Sequence, residues 1–247
     1  MPTPEPGNVL VVFAHPDDES YGPGATIAGL ASRGLRLTLI TFTRGENSTL
    51  GVADLSGPDE LADLRERELR HAARELGIAE LRQYRYPDGG LRDAPRPELE
   101  ELVGAALDEL QPVLVITFGR GGISGHPDHV AASETTVAAT RAYADRRGAA
   151  PPPVYGWAMP ARIAAELAER LGRQYPVTPD GRIVDVPVTA AELAAQWRAA
   201  QHHRSQHSPP PWTFAIRREV QAGHEFLERL LPESPLTPEP LLELLGR

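Results

Sequence analysis

The chain has 247 residues, of which 41% are hydrophobic, so it is long enough to bury a substantial core, and its formal net charge is -9. That acidic balance repels phosphate backbones and argues against nucleic acid as a partner. The absence of cysteine excludes disulfides, thiolate metal sites and cysteine nucleophiles. No apolar stretch approaches the roughly 18 residues of a membrane span, and MPTPEPGN lacks the basic and apolar regions of a secretion signal. The expectation is a soluble cytoplasmic protein with no membrane partner.

Residues 9–13 (VLVVF) form a continuous apolar run bounded by polar residues, which predicts a short strand buried on both faces. Pro16 opposes extension of that strand. His15, Asp17, Asp18 and Glu19 thus fall just beyond its carboxyl end, where open α/β sheets place their ligands. Gly22 and Gly24 allow a tight return into a helix over 25–32. Residues 35–43 read as a second strand ending at Thr43-Arg44-Gly45-Glu46-Asn47, and the Gly/Ser-rich loop to Pro58 is long enough to suggest function or mobility. A helical stripe over 59–76 stops at Gly77. A third strand follows at 81–86, then the Pro87-Asp88-Gly89-Gly90 turn and an amphipathic helix over 97–110. A second strongly apolar strand at 112–118 ends in GRGGISGHPDH and leads into a helix over 130–143.

This alternation predicts right-handed βαβ crossovers and a Rossmann-like α/β fold, a mostly parallel sheet with helices on both faces. The Pro-rich seam at 149–153 divides a core, residues 1–150, from an α/β extension, residues 151–247, that completes the substrate pocket within one integrated domain. In the extension the pattern predicts strands at 154–159 and 182–186 and helices at 161–171, 190–203 and 219–230, with a break at 209–211. The Pro-punctuated tail leaves open packing on the domain itself or on a second copy in a homo-oligomer.

Two clusters carry the chemistry: His15-Pro16-Asp17-Asp18 and His126-Pro127-Asp128-His129. If the strands before them are neighbours, both loops open into one crevice. A catalytic zinc site needs three N/O ligands and an open position, and two histidines with one carboxylate meet that need. His15 and Asp18 can converge on one ion, with His129 as third ligand. Asp17 and His126 are left beside the metal as a general base and as an oxyanion stabiliser or proton donor. Asp128 suits the orientation of a ligand histidine. The same donor set also accepts ferrous iron.

The segments AHPDDE and HPDH, with TRGE, Arg65-x-x-Glu68 and YPDGG between them, resemble the LmbE-like or PIG-L family of zinc-dependent de-N-acetylases over about the first 145 residues. The resemblance implies removal of the acetyl group from an N-acetylglucosamine-containing small molecule, such as a glycolipid precursor or a mycothiol- or bacillithiol-type intermediate. It also implies zinc on His15, Asp18 and His129, Asp17 as base, and His126 beside the tetrahedral intermediate. Glu46, Arg65 and Asp88 match positions near the sugar, and Arg44 in the same TRGE loop is a further candidate substrate contact. Ser124 stands where some members carry a tyrosine that adds to the oxyanion site. The late segment Gln201-His202-His203-Arg204-Ser205-Gln206 resembles a family feature near the pocket more loosely.

Other readings fit less well. Gly22-x-Gly24 before a helix invites dinucleotide binding, but Ile27 takes the third glycine position and the acidic loop repels a pyrophosphate. Gly122-Ile123-Ser124-Gly125 does not complete a serine-hydrolase elbow. A sugar- or metal-binding protein without catalysis would have no need of Asp17 and His126. His71 and His224 read as structural or solvent-facing, and His202, His203 and His207 as members of a polar turn.

Overall fold

The computed structural model describes residues 7–48, 57–207 and 212–247. Most of the long loop before Pro58, the break at 209–211 and the first six residues lie outside the described residues. The elements run β1 (Asn8–Phe13), α1 (Asp18–Tyr21), α2 (Gly24–Ser32), β2 (Arg36–Thr43), α3 (Pro58–Glu75), β3 (Glu80–Tyr86), α4 (Arg96–Leu110) and β4 (Leu114–Phe118). They continue with α5 (Gly122–Gly125), α6 (Pro127–Arg147), β5 (Val154–Trp157), α7 (Ala161–Leu171), β6 (Ile183–Pro187), α8 (Ala190–His202), α9 (Thr213–Gln221), β7 (His224–Leu231) and α10 (Pro240–Leu244).

One seven-stranded sheet has the order β3-β2-β1-β4-β5-β7-β6. The first five strands in that order pair in parallel, and β7 pairs antiparallel with β5 and β6. The chain moves outward from β1 to β2 and β3, then returns to β4 on the other side of β1. Right-handed crossovers in opposite directions put α2 and α3 on one face of the sheet and α4 and α6 on the other. The reversal between β1 and β4 is a topological switch point, and a crevice opens there at the strands' carboxyl ends. The apolar runs fit this frame, since Val9 to Phe13 and Leu114 to Phe118 include no exposed residue and Phe13 meets Phe118 edge-on at 4.9 Å.

Two expectations are corrected. The helix expected over 130–143 begins at Pro127 and runs to Arg147, so the HPDH segment is the helix entrance, with His126 as its N-cap. Proline at the first helical position costs no hydrogen bond there. The helix expected over 219–230 is the end of α9 followed by strand β7. Ala222 and Gly223, both at positive φ (49° and 83°), terminate α9. Residues 225–231 are then buried on both faces between β5 and β6. Glu225 and Glu228, within the span expected to be helical, both find partners inside. Glu225 accepts from the backbone N–H groups of Ala25 and Thr26 at the start of α2, and Glu228 pairs with Arg120 at 2.7 Å. The tail packs on its own chain, with Leu241 and Leu245 fully buried.

Candidate metal centre and its cavity

Adjacent strands β1 and β4 carry the two histidine loops to one place. His15 Nδ1 lies 3.2 Å from His129 Nε2, Asp18 Oδ1 is 3.4 Å from His129 Nε2, and Asp18 Oδ2 is 3.6 Å from His15 Nδ1. The opposite nitrogens of both rings are engaged. His15 Nε2 faces Asp128 Oδ2 at 3.2 Å and Asp88 Oδ1 at 3.0 Å, and His129 Nδ1 faces the Gly122 carbonyl at 3.0 Å. With the ring protons donated outward, two imidazole lone pairs and a carboxylate face one another, which is repulsive unless a cation lies among them. A tetrahedral zinc with donors at about 2.1 Å needs donor–donor edges of about 3.4 Å. The observed spacings match, so the residues present fit a zinc-type ion.

Charge follows the same logic. Burial opposes a charged His15, but hydrogen bonds that it donates to Asp128, Asp18 and Asp88 outweigh it and raise its pKa well above the usual imidazole range. Burial pushes His129 down to about 4. Asp18 is buried too, yet His129 and His15 hold it at about 2. A proton shared in this cluster stands where a metal cation would compete.

Asp128 anchors the arrangement. Its Oδ2 accepts from the Gly89 N–H at 2.8 Å and its Oδ1 from the Leu91 N–H at 3.0 Å, so the YPDGG turn fixes the carboxylate that holds His15. His126 Nδ1 accepts from the Asp128 N–H at 3.2 Å, which leaves Nε2 to carry the proton in the neutral ring. The His126 ring is 5.0 Å from that of His15 and 4.8 Å from that of His129, centre to centre. Other donor groupings exist around the same residues: His15 with His126 and His129, and His15 with Asp88 and Asp128.

Asp17 caps α1 at φ 107°, a left-handed backbone rarely adopted outside glycine. Glu19 holds it there, accepting from the Asp17 N–H at 3.0 Å, and the Asp17 carboxylate is 3.3 Å from Arg65 Nη2. Burial raises the Asp17 carboxyl to about 7 despite Arg65. Arg65 also donates to the carbonyls of Gly45 (2.8 Å) and Pro16, tying the loops after β1 and β2 together.

The donors open onto a cavity of about 520 Å³, lined among others by Asp17, Arg65, Asp88, Ser124, His126 and Tyr21. The structure therefore brings together His15, Asp17, Asp18, Arg65, Asp88, His126, Asp128 and His129. Glu46 stands one step back, accepting from the Asp88 N–H at 2.9 Å. Arg44 is not brought to this cavity, since it pairs with Asp63 and with Glu66 at 2.9 Å beside α3.

Sequence reasoning passed over His203. It is fully buried, and its Nε2 meets Glu19 Oε1 at 2.7 Å, so the polar-turn reading is corrected for this residue. Burial lowers its proton affinity, but Glu19 more than offsets that and raises it. Glu68 holds the same turn through the Ser205 N–H at 2.9 Å and the Ser205 hydroxyl. The one sequence signal was the HHRSQ segment. His71 and His224, as expected, lie on exposed contacts, with His202 and Asp185 respectively.

Residues 10–140 match the family model PIG-L: GlcNAc-PI de-N-acetylase. A Salinispora arenicola (strain CNS-205) protein named 1D-myo-inositol 2-acetamido-2-deoxy-alpha-D-glucopyranoside deacetylase is 32% identical over 257 residues, covering 89% of this chain and 82% of its own. Among solved structures, a conserved protein from Thermus thermophilus superposes with a TM-score of 0.68 at 26% identity, covering 94% of this chain and 98% of that one. The 4-carboxy-2-hydroxymuconate hydratase GalB from Pseudomonas putida KT2440 superposes with a TM-score of 0.71 at 21% identity, covering 93% and 98%. The last likeness concerns the fold alone, which hosts more than one chemistry. The matched segment contains both histidine clusters and spans more than half of the sequence, and the chain belongs to the PIG-L family.

Proposed function

We propose that this chain is a metal-dependent N-deacetylase that hydrolyses the acetamide of an N-acetylglucosamine-containing small molecule to acetate and a free amino sugar. The observation that carries the reading is the convergence of His15 Nδ1, His129 Nε2 and Asp18 at 3.2 to 3.6 Å, with Asp17 and His126 beside them and a sugar-sized cavity in front. The Salinispora relative, named for a deacetylase of this kind, supports it across most of the chain.

His15, Asp18 and His129 would hold zinc, with ferrous iron the alternative for the same donors. When bound, the ion supplies Lewis acidity, polarising the acetamide carbonyl and acidifying water. Asp17 is the proton acceptor: its carboxylate lines the cavity, and a pKa raised to about 7 makes it a competent base near neutral pH. His126 presents a protonated Nε2 to the oxygen that gains negative charge at the carbonyl. The proton taken by Asp17 goes to the departing nitrogen, so water and amide become acetate and amine. Arg65 fixes the Asp17 carboxylate, and Asp88 and Asp128 fix the tautomer of His15.

Acetate release from a panel of N-acetylglucosamine conjugates, with and without a chelator, tests the reading. Chelator-sensitive release is expected. Tight sugar binding with no release by metal-replete protein would favour a binding protein instead.

A further inference from the structure

The cavity combines two unlike chemistries. Around the donor cluster it is acidic, with Asp17, Asp18 and Asp88. Elsewhere its lining is aromatic and cationic, with Trp157, Trp212 and Phe214 alongside Arg173 and Arg217. Among the described residues neither of these arginines has a carboxylate at ion-pair distance, whereas Arg65 in the same cavity is paired with Asp17. Exposed arginines without partners are ordinary, but these two face a cavity.

Both guanidinium groups lie over aromatic rings. The Arg217 guanidinium lies 4.6 Å from the Trp157 ring centre and 5.6 Å from that of Phe214, and it donates to the Tyr21 carbonyl. Arg173 stands 5.7 Å from the Tyr175 ring centre. Stacking of this kind orients the fork while leaving other N–H donors free for a planar or tetrahedral oxyanion. Burial lowers the Arg217 pKa to about 10, and Arg218 adds repulsion. A guanidinium stays charged at neutral pH, so an anion from outside would be favoured beside it. The neighbouring rings, Trp212 5.0 Å from Phe214 and Tyr21 5.4 Å from Phe214, offer an apolar platform. An uncharged polyol would leave both cations without a counter-charge.

Resting on the deacetylase reading, we propose that the aglycone of the substrate carries an oxyanion, a carboxylate or a phosphate, clasped by Arg173 and Arg217 while its apolar part lies on Trp157, Trp212 and Phe214. The sugar's acetamide then reaches the donor cluster while the anion stays at the two arginines.

Matched aryl glycosides of N-acetylglucosamine test this with the metal-replete full chain: 4-carboxyphenyl, 4-phosphonophenyl and the neutral 4-carbamoylphenyl. Binding is read by calorimetry and turnover by acetate release. At least one anionic glycoside is expected to bind roughly tenfold or more tighter than the carbamoyl compound, as charge-assisted hydrogen bonds exceed neutral ones. Which anion binds tighter identifies the group. The advantage is expected to shrink in Arg173→Met and in Arg217→Met and to vanish in the double variant. In the unaltered chain it is expected to weaken with added salt, a readout that needs no variant. Equal binding of all three glycosides overturns the proposal. So does a preference that survives in the double variant, because the anion then sits on the metal. Acetate release without anion preference overturns this proposal and keeps the deacetylase reading, whereas anion preference without acetate release does the reverse.

Discussion

Asp17 and Asp18 are adjacent carboxyls in opposite states. Burial lifts Asp17 to about 7, while Asp18, also buried, is held at about 2 by His129 and His15. Environments that push neighbouring acids apart divide their roles, one remaining a permanent anion and the other exchanging protons near neutrality. Asp17→Asn is expected to keep stoichiometric metal while kcat falls about 10²–10⁴-fold, the usual worth of a positioned base. Metal analysis beside acetate release checks both halves, and loss of metal with loss of activity would move Asp17 into the ligand set. The acid limb of kcat/KM is expected at or below about pH 7, because the base works only when deprotonated and a bound cation lowers its pKa further. Asp128→Asn removes the carboxylate that orders His15. It is expected to weaken metal affinity about 10–100-fold, with activity recovered in excess metal. Undiminished affinity in a metal-competition titration would count against that role.

At the scale of elements, the loops are fixed by partners remote in sequence. Glu225 on β7 satisfies two backbone N–H groups of α2 and the Thr26 hydroxyl, and it lies 3.7 Å from Arg218. Glu225→Ala leaves those donors and a buried cation unpaired, so denaturant unfolding is expected to show a loss of about 3 kcal/mol or more. A loss below about 1 kcal/mol, the level of a surface change, would contradict the capping account. These long-range pairs also mark where sequence reasoning failed. The string HEFLERLL carries glutamate and arginine at spacings that suit a helix. It is a strand because those charges are neutralised across the fold, not by solvent. His203 was hidden in the same way, since its partner Glu19 lies 184 positions away. By contrast, β1 and β4 were legible because buried parallel strands need unbroken apolar runs. The two His-Pro-Asp clusters were legible because each follows such a run directly.

Across the whole molecule, the proposed metal would compete with protons for one cluster. His15 and His203 have raised proton affinities when folded, so each contributes stability that is present below the ordinary imidazole pKa and is lost as pH rises through the folded value. Asp17, raised to about 7, acts in the same direction between the ordinary carboxyl range and neutrality. His129, lowered to about 4, acts oppositely, but its effect is complete by about pH 6.5. The metal-free chain is therefore expected to lose thermal stability from about pH 6.5 upward, and added zinc to restore more of it at pH 8 than at pH 6. A metal-induced rise in Tm that shrinks with pH over this range would contradict the shared-cluster picture. The most direct measurement is anomalous diffraction at the zinc edge from zinc-loaded crystals. One strong peak is expected in contact with His15 Nδ1, His129 Nε2 and the Asp18 carboxylate. A peak held instead by His15 with Asp88 and Asp128, or none at the rim between β1 and β4, would contradict it.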